Sequence, residues 1–293
     1  MPLTVALDVR AELGECPIWD ADEQALFFVD IKGRALHRFR PATGEHAVMM
    51  MPEEIGCIGL RNGGGFVAGF RSGLWLLDPQ GRRESKLADN PEDLRTSRFN
   101  DGRVDPAGRS LAGTIDESKD GERAHLYRYN RRGLVELAGG LLTSNGLAFP
   151  PDRRTLYHSD TPTFTVWRYA YDPATGQAKD KTLFLRLQPS EADRGRPDGA
   201  AVDAEGCYWT ALFEGGRIQS YAPDGRLLAE YPVPARCPTM ICFAGADLKS
   251  LYVTSARTGR TKDELEAFPH SGSLFCMPVD VPGLPETRFD PSV

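Results

Sequence analysis

Short apolar runs alternate with turn signals along the whole chain. Ala25–Ile31, Gly65–Phe70, Thr155–Ser159, Thr165–Tyr171, Cys207–Leu212 and Ser250–Ser255 are rich in Val, Leu, Phe, Tyr and Trp. Runs this short with β-branched and aromatic residues predict strands. Between such runs stand Asp20–Glu23, Pro41–Gly44, Asp78–Gly81, Asp105–Gly108, Asp203–Gly206 and Pro223–Gly225. Several of these carry a Pro, which presets φ, and a Gly, which supplies positive φ, as tight turns require. A doubly wound α/β fold would need long segments of 3.6-residue period. None is present, and Thr261–Phe268 is the one stretch that predicts a helix.

A slower rhythm overlies the first. A small or polar residue just ahead of an apolar strand recurs at Glu15, Cys57, Asn100, Asn145, Asp198 and Thr239, at intervals of 42, 43, 45, 53 and 41 residues. A period near 40–50 residues with about four strands per unit is that of a β-propeller blade. The pattern therefore predicts an all-β chain: a single six-bladed β-propeller over residues 1–293, with four antiparallel strands per blade around a central channel. The long fourth interval holds the polar insertion Gln188–Arg196. The leftover strand Leu3–Val9 is expected to close the last blade beside Ser273–Val279.

In a propeller the first strand of each blade lines the channel, so residues at one phase of that strand converge at one mouth. Four of the six phase positions carry a carboxylate or an amide: Glu15, Asn100, Asn145 and Asp198. Buried charge needs a partner, and oxygen ligands suit Ca²⁺, Mg²⁺ or Mn²⁺ better than a soft metal. Singly, Asn145-Gly146 and Asp198-Gly199 read as ordinary turn dipeptides. It is the shared phase that points to a metal or ligand site.

The remaining composition narrows the function classes. The formal charge is −6, with 41% hydrophobic and 26% charged residues. No basic run offers a footprint for nucleic acid or anionic membrane, and no apolar stretch approaches the length of a membrane span. Six scattered cysteines without a C-x-x-C, and no secretion signal at the start, predict reduced thiols and a cytoplasmic protein. No G-x-S-x-G elbow, dinucleotide fingerprint or P-loop occurs. His158 and Asp160 read as a strand histidine with a polar neighbour rather than an acid–base pair. His37, His46, His125 and His270 show no partner spacing.

Several segments together carry a resemblance. They are Gly14-Glu15-Cys16-Pro17-Ile18-Trp19, Arg98-Phe99-Asn100-Asp101-Gly102, Ser144-Asn145-Gly146-Leu147, Pro197-Asp198-Gly199 with Val202-Asp203-Ala204-Glu205-Gly206, and Thr254-Ser255-Ala256-Arg257. From about Leu13 to Val279 the chain resembles the family of senescence marker protein, regucalcin and gluconolactonase, the sugar lactonases. The resemblance implies a metal-dependent hydrolase opening a sugar aldonolactone to its acid. Glu15, Asn145 and Asp198 would hold one divalent ion, Ca²⁺, Zn²⁺, Mn²⁺ or Mg²⁺. Asp198 would also accept the water proton, and Arg98, Asn100 and Glu117 would hold the substrate. The family's pair of adjacent acids is here Glu117-Ser118, preceded by Asp116, which leaves the identity of the sugar open. Cys16 should point away from the metal, because strand side chains alternate. The implied partner is a small-molecule lactone, and the implied assembly a monomer or weak homo-oligomer. The competing readings are a calcium-binding regulatory propeller without catalysis, a promiscuous phosphotriesterase-like propeller, and a scaffold for protein partners.

Overall fold

Apolar runs of five to nine residues bury nothing by themselves, and here they pair in antiparallel ladders, four to a sheet. The computed structural model describes residues 2–293. The N-terminal strand β1 (Thr4–Leu7) is followed by blade 1: β2 (Gly14–Asp20), β3 (Ala25–Asp30), β4 (Ala35–Arg40) and β5 (Glu45–Met50). Blade 2 comprises β6 (Ile55–Leu60), β7 (Phe66–Phe70), β8 (Gly73–Leu77) and β9 (Arg83–Asp89). Blade 3 comprises β10 (Ser97–Val104), β11 (Ser110–Asp116), β12 (Ala124–Asn130) and β13 (Gly133–Leu141). Blade 4 comprises β14 (Ser144–Ala148), β15 (Thr155–Asp160), β16 (Thr165–Asp172) and β17 (Gln177–Arg186). Blade 5 comprises β18 (Arg196–Val202), β19 (Tyr208–Phe213), β20 (Arg217–Tyr221) and β21 (Leu227–Pro232). Blade 6 comprises β22 (Cys237–Ala244), β23 (Ser250–Ala256) and β24 (Leu274–Pro278), and takes β1 as its fourth strand. This is the six-bladed propeller that the repeat period predicts.

Burial explains the order within a blade. The inner strands β2, β6, β14 and β22 are buried at every position, whereas β5, β9, β17 and β21 are mostly exposed. Lys86 on β9, and Lys179 and Lys181 on β17, sit on these free edges, where charge discourages edge-to-edge association. Each inner strand contacts the next, β2, β6, β10, β14, β18 and β22, and β22 returns to β2. The ring is locked by β1 pairing antiparallel to β24, with Thr4 opposite Cys276 and Val5 opposite Phe275. The predicted helix is α1 (Lys262–Ala267), in the β23–β24 loop, with Thr261 Oγ1 accepting from Glu264 N as its N-cap.

The chain's last residues cover one face. Phe289 bridges Arg61, Gly283 bridges Asp203, and Arg288 reaches Asp20 and Asp22 at 2.7 Å. Those partners lie at the C-terminal ends of inner strands, on the side opposite Glu15, Asn145 and Asp198. Under this strap Arg103, near the end of β10, meets Glu286 at 3.4 Å and donates to Ala200 O at 3.0 Å. A cavity of about 390 Å³ opens on this face, between Arg103, Phe149, Phe243 and Glu286. It contains none of the six site residues nominated above.

Candidate active site

Every inner strand carries a one-residue bulge near its start. Glu15 pairs with Val29 and the next pair is Ile18–Phe27. Asn145 pairs with Ser159 and the next is Ala148–Tyr157. The same break separates Phe99–Thr114 from Gly102–Ala112 and Pro197–Leu212 from Ala200–Thr210. It also separates Pro238–Ser255 from Ile241–Val253 and Ile55–Phe70 from Cys57–Gly69. A bulge unpairs one residue, bends the strand and re-aims its neighbours. Asn145-Gly146 and Asp198-Gly199 are therefore bulges within strands rather than turns. Gly146 has φ of +63°, and a Cβ there would lie 2.6 Å from both Ser159 Oγ and Tyr208 Oη. Glu15 and Asn145 are the last paired residues before their bulges, and Asn100 and Asp198 the first residues after pairing stops.

Cys16 occupies the position in β2 that Gly146 occupies in β14, with φ of +47°, uncommon for a residue with a side chain. Its Sγ turns away to the neighbouring blade, where it accepts from Ile58 N at 3.2 Å and donates to Ile58 O at 3.3 Å. The bulge, rather than simple strand alternation, sets that direction.

The structure joins four nominated residues in one hydrogen-bonded line across three blades. Arg98 Nη1 donates to Asn100 Oδ1 at 2.8 Å, and Asn100 Nδ2 donates to Asn145 Oδ1 at 3.0 Å. Asn145 Nδ2 then donates to Asp198 Oδ1 at 2.5 Å. Glu15 enters from blade 1. Burial first, then Asp198 and Asp101, push its pKa well above the ordinary value. Asp198 is raised in the same sense, by burial first and Asp101 second, while Arg196, Lys119 and Arg98 oppose the shift. All five side chains are buried. Arg98 is 3% exposed and also donates to Phe99 O at 3.0 Å, so it lies inside the channel rather than on the rim. Glu117 sits higher, half-buried among cations: Arg71 at 2.8 Å, Lys32 at 3.4 Å and Arg98 at 3.7 Å. Asp116 turns into its own loop, where Oδ1 accepts from Ser118 Oγ at 2.5 Å and Ser118 N at 3.1 Å.

Two contributors escape a reading of the sequence. Asp101 accepts from Gly102 N at 2.7 Å and from Leu147 N at 3.1 Å, and burial raises its pKa to about 6. Its place in the Asn-Asp-Gly motif is the only signal the sequence offers. Thr161 Oγ1 accepts from Asn145 Nδ2 at 2.8 Å and lies in a blade-top loop without a motif. The histidines also have partners that linear spacing hides. His37 Nδ1 lies 2.9 Å from His46 Nε2, and His125 Nδ1 lies 2.9 Å from Glu92 Oε1. Cross-strand neighbours in β4 and β5 bring the two histidines together, and Glu92 reaches His125 from the loop between β9 and β10. His158 is fully buried, 2.8 Å from Ser144 Oγ, consistent with a core histidine.

The donor set can take a hard cation. Glu15, Asn145 and Asp198 offer oxygen ligands, and among the described residues neither buried carboxylate forms an ion pair, while burial outweighs the cations around them. Asn145 presents Nδ2 to Asp198, and half a turn of its amide exchanges Nδ2 for Oδ1. Among the described residues no cluster of three or more His, Cys, Asp or Glu is formed. An amide oxygen is therefore needed to complete even three protein ligands.

The sequence pattern of the SMP-30/gluconolactonase/LRE-like region matches residues 13–257. This chain belongs to that family. A 6-deoxy-6-sulfogluconolactonase from Pseudomonas putida is 46% identical over 278 residues, covering 94% of each chain. A pentonolactonase from Haloferax volcanii is 35% identical over 99% of each chain. A crystal structure of a calcium-binding protein, regucalcin, from Agrobacterium tumefaciens superposes with a TM-score of 0.93 at 28% identity, covering 99% of this chain and 98% of that one. The SMP-30/gluconolactonase family match covers the bulge-bearing starts of all six inner strands, and so the whole of the candidate site. Among the described residues no helix is long and apolar enough to cross a membrane.

Proposed function

We propose that this protein hydrolyses a sugar aldonolactone to the aldonic acid, with Glu15, Asn145 and Asp198 holding one divalent metal ion. The observation that carries the reading is the buried line Arg98–Asn100–Asn145–Asp198 with Glu15 alongside, in a chain 46% identical to a sugar lactonase. The ion, when bound, supplies a Lewis acid for the lactone carbonyl and lowers the pKa of water. Asp198 accepts the proton from the attacking water. Arg98 and Asn100 donate to ring oxygens, and Glu117 accepts from a hydroxyl at the mouth. The strap over Arg103 covers the opposite face, so substrate enters and product leaves on the side of Glu15, Asn145 and Asp198.

A second reading, a calcium-binding regulatory propeller without turnover, is favoured by the likeness to a calcium-binding regucalcin. One experiment separates the two. Acid release is followed over a panel of aldono-1,4- and 1,5-lactones, corrected for spontaneous opening, before and after exhaustive chelation and with each divalent metal restored. Lactone turnover that chelation abolishes and metal restores supports the proposal. Metal binding with no turnover on any lactone supports the regulatory reading. Full activity after chelation refutes the metal assignment.

A further inference from the structure

The cavity on the strap face has preformed walls. Phe243 forms one of them and is held edge-on by Trp209, with ring centroids 5.9 Å apart. Phe149 forms another and is held edge-on by Tyr171 at 4.9 Å. Pro150, Pro151 and Pro285 add apolar surface and have no N–H to offer a ligand. The volume of about 390 Å³ falls within the range of roughly 300–1,000 Å³ usual for small-molecule pockets.

The strap is pinned on both sides of this cavity and unpaired over it. Ala204 N donates to Pro282 O at 2.8 Å, and Gly283 N to Leu248 O at 2.9 Å. On the other side Phe289 N donates to Leu60 O at 2.6 Å, and Asp290 N to Gly108 O at 2.9 Å. Between the pins, Glu286 and Thr287 line the cavity and make no backbone hydrogen bond among the described residues.

Two guanidinium groups in the cavity are short of partners. Arg103 enters from β10, and its side chain is only 15% exposed. Its Nη2 donates to Ala200 O at 3.0 Å. Its Nη1 meets the two Glu286 carboxylate oxygens only at 3.4 and 3.5 Å, longer than the roughly 2.7–2.9 Å of a good charge-assisted bond. Its Nε is buried without a partner. Asp101 acts on Arg103 from within the channel, but the Asp101 oxygens are taken by Gly102 N and Leu147 N. Arg153, in the β14–β15 turn, lines the same cavity, is exposed, and forms no ion pair among the described residues. Against these two positive charges the lining sets one carboxylate, Glu286.

A ligand that satisfies this lining carries a negative charge for the arginines and a flat apolar body for the two phenylalanines. A neutral ligand leaves Arg103 short of an acceptor. A polyhydroxylated one desolvates its hydroxyls against aromatic and proline walls. We propose that the cavity under the strap is a second small-molecule site that binds an aromatic monocarboxylic acid, with its carboxylate on Arg103 and Arg153 and its ring against Phe149 and Phe243. The site stands apart from the lactonase reading, because Glu15, Asn145 and Asp198 lie on the opposite side of the ring.

The test is calorimetry of the full chain at pH 7 with benzoate as the probe and benzamide and acetate as controls. Benzoate should bind at one site per chain, and each control at least about tenfold more weakly, one for want of the charge and the other for want of the ring. Benzoate bound no more tightly than either control overturns the proposal. Glu286→Gln keeps the shape of the strap and removes the carboxylate that competes for Arg103. It should tighten benzoate about twofold to fivefold, and unchanged or weaker binding overturns the proposal. If circular dichroism shows that this variant is unfolded, Arg153→Gln in the exposed turn decides. A loss of about twofold to fivefold upholds the site, and an unchanged affinity overturns it. Asp198→Asn excludes the other mouth: benzoate should bind this variant as it binds wild type, and loss of binding would place the acid in the candidate active site and overturn the proposal.

Discussion

Asn145 and Asp198, 53 residues apart in the sequence, meet at 2.5 Å through Nδ2 and Oδ1. The contact joins blade 4 to blade 5 at the channel mouth. It holds Asp198 where Glu15 and Asp101 already crowd it with negative charge. Three buried carboxylates within electrostatic range of one another are a poor way to stabilise a core, so their retention points to chemistry.

Asp198→Asn tests that tension. The amide keeps the shape of the side chain and removes both a charge and the proton acceptor. Turnover should fall by about a hundredfold to ten-thousandfold. The melting temperature of chelator-treated protein should hold or rise, because one of three mutually repelling acids has gone. A variant with near-wild-type kcat would refute the role given to Asp198, and a large fall in metal-free stability would make it a structural residue.

Arg98→Ala should do more than weaken substrate binding. The family resemblance gives this residue a substrate-holding role, whose loss would act mainly on KM. The structure sinks it and gives Nη1 two acceptors, Phe99 O and Asn100 Oδ1. Leaving buried acceptors unpaired costs about 1–3 kcal/mol. Releasing Asn100 also loosens the line to Asn145. Chemical denaturation should show the stability loss, and kinetics should show a fall in kcat alongside the rise in KM. A pure KM effect with unchanged stability would return Arg98 to a simple binding role.

The C-terminal strap can be weighed separately. Phe289 is 2% exposed and packs with Val67 and Val104. Phe289→Ala should cost about 3–5 kcal/mol while leaving the pattern of lactone preferences intact, because the site faces the other way. A changed preference pattern in the folded variant would show that the two faces communicate.

The blade count was legible because it rests on two periodicities, strand spacing and blade spacing, that packing enforces at every repeat. The convergence of Asn100, Asn145 and Asp198 follows from the same rhythm, whereas Arg98 entered through the family resemblance. The bulges were not legible. Asn145-Gly146 and Asp198-Gly199 have the composition of a turn, and only the ladder on either side shows them to be interruptions within strands. Nor were the partners across strands and loops. His37–His46 depends on the β4–β5 register, which a single residue of slip would undo, and His125–Glu92 joins β12 to the loop between β9 and β10.

Acid stability follows from the buried histidines. Burial pushes His158 down to about 3, with Lys181 adding to the shift, and its ring faces Ser144 Oγ and Tyr169. Burial and His46 push His37 down to about 4, against a smaller opposing effect of Asp30. In the unfolded chain both titrate near the ordinary value of about 6.5. Between that pH and the folded values the unfolded state binds protons that the native state refuses. Stability from this source is therefore whole above pH 6.5 and drains away as the pH falls toward 4. Asp101, raised to about 6, works in the other direction, since the native state takes up its proton first. The difference between wild type and a single-histidine variant isolates one contribution from the sum. His158→Gln should be less stable than wild type at pH 7, where a well-packed neutral ring is lost. Its stability should then fall less steeply between pH 6 and pH 4, by up to about 1.4 kcal/mol per pH unit. Urea titrations at half-unit intervals across that range measure both slopes, and parallel curves would show that His158 is protonated in the native state and that the account of its burial is wrong.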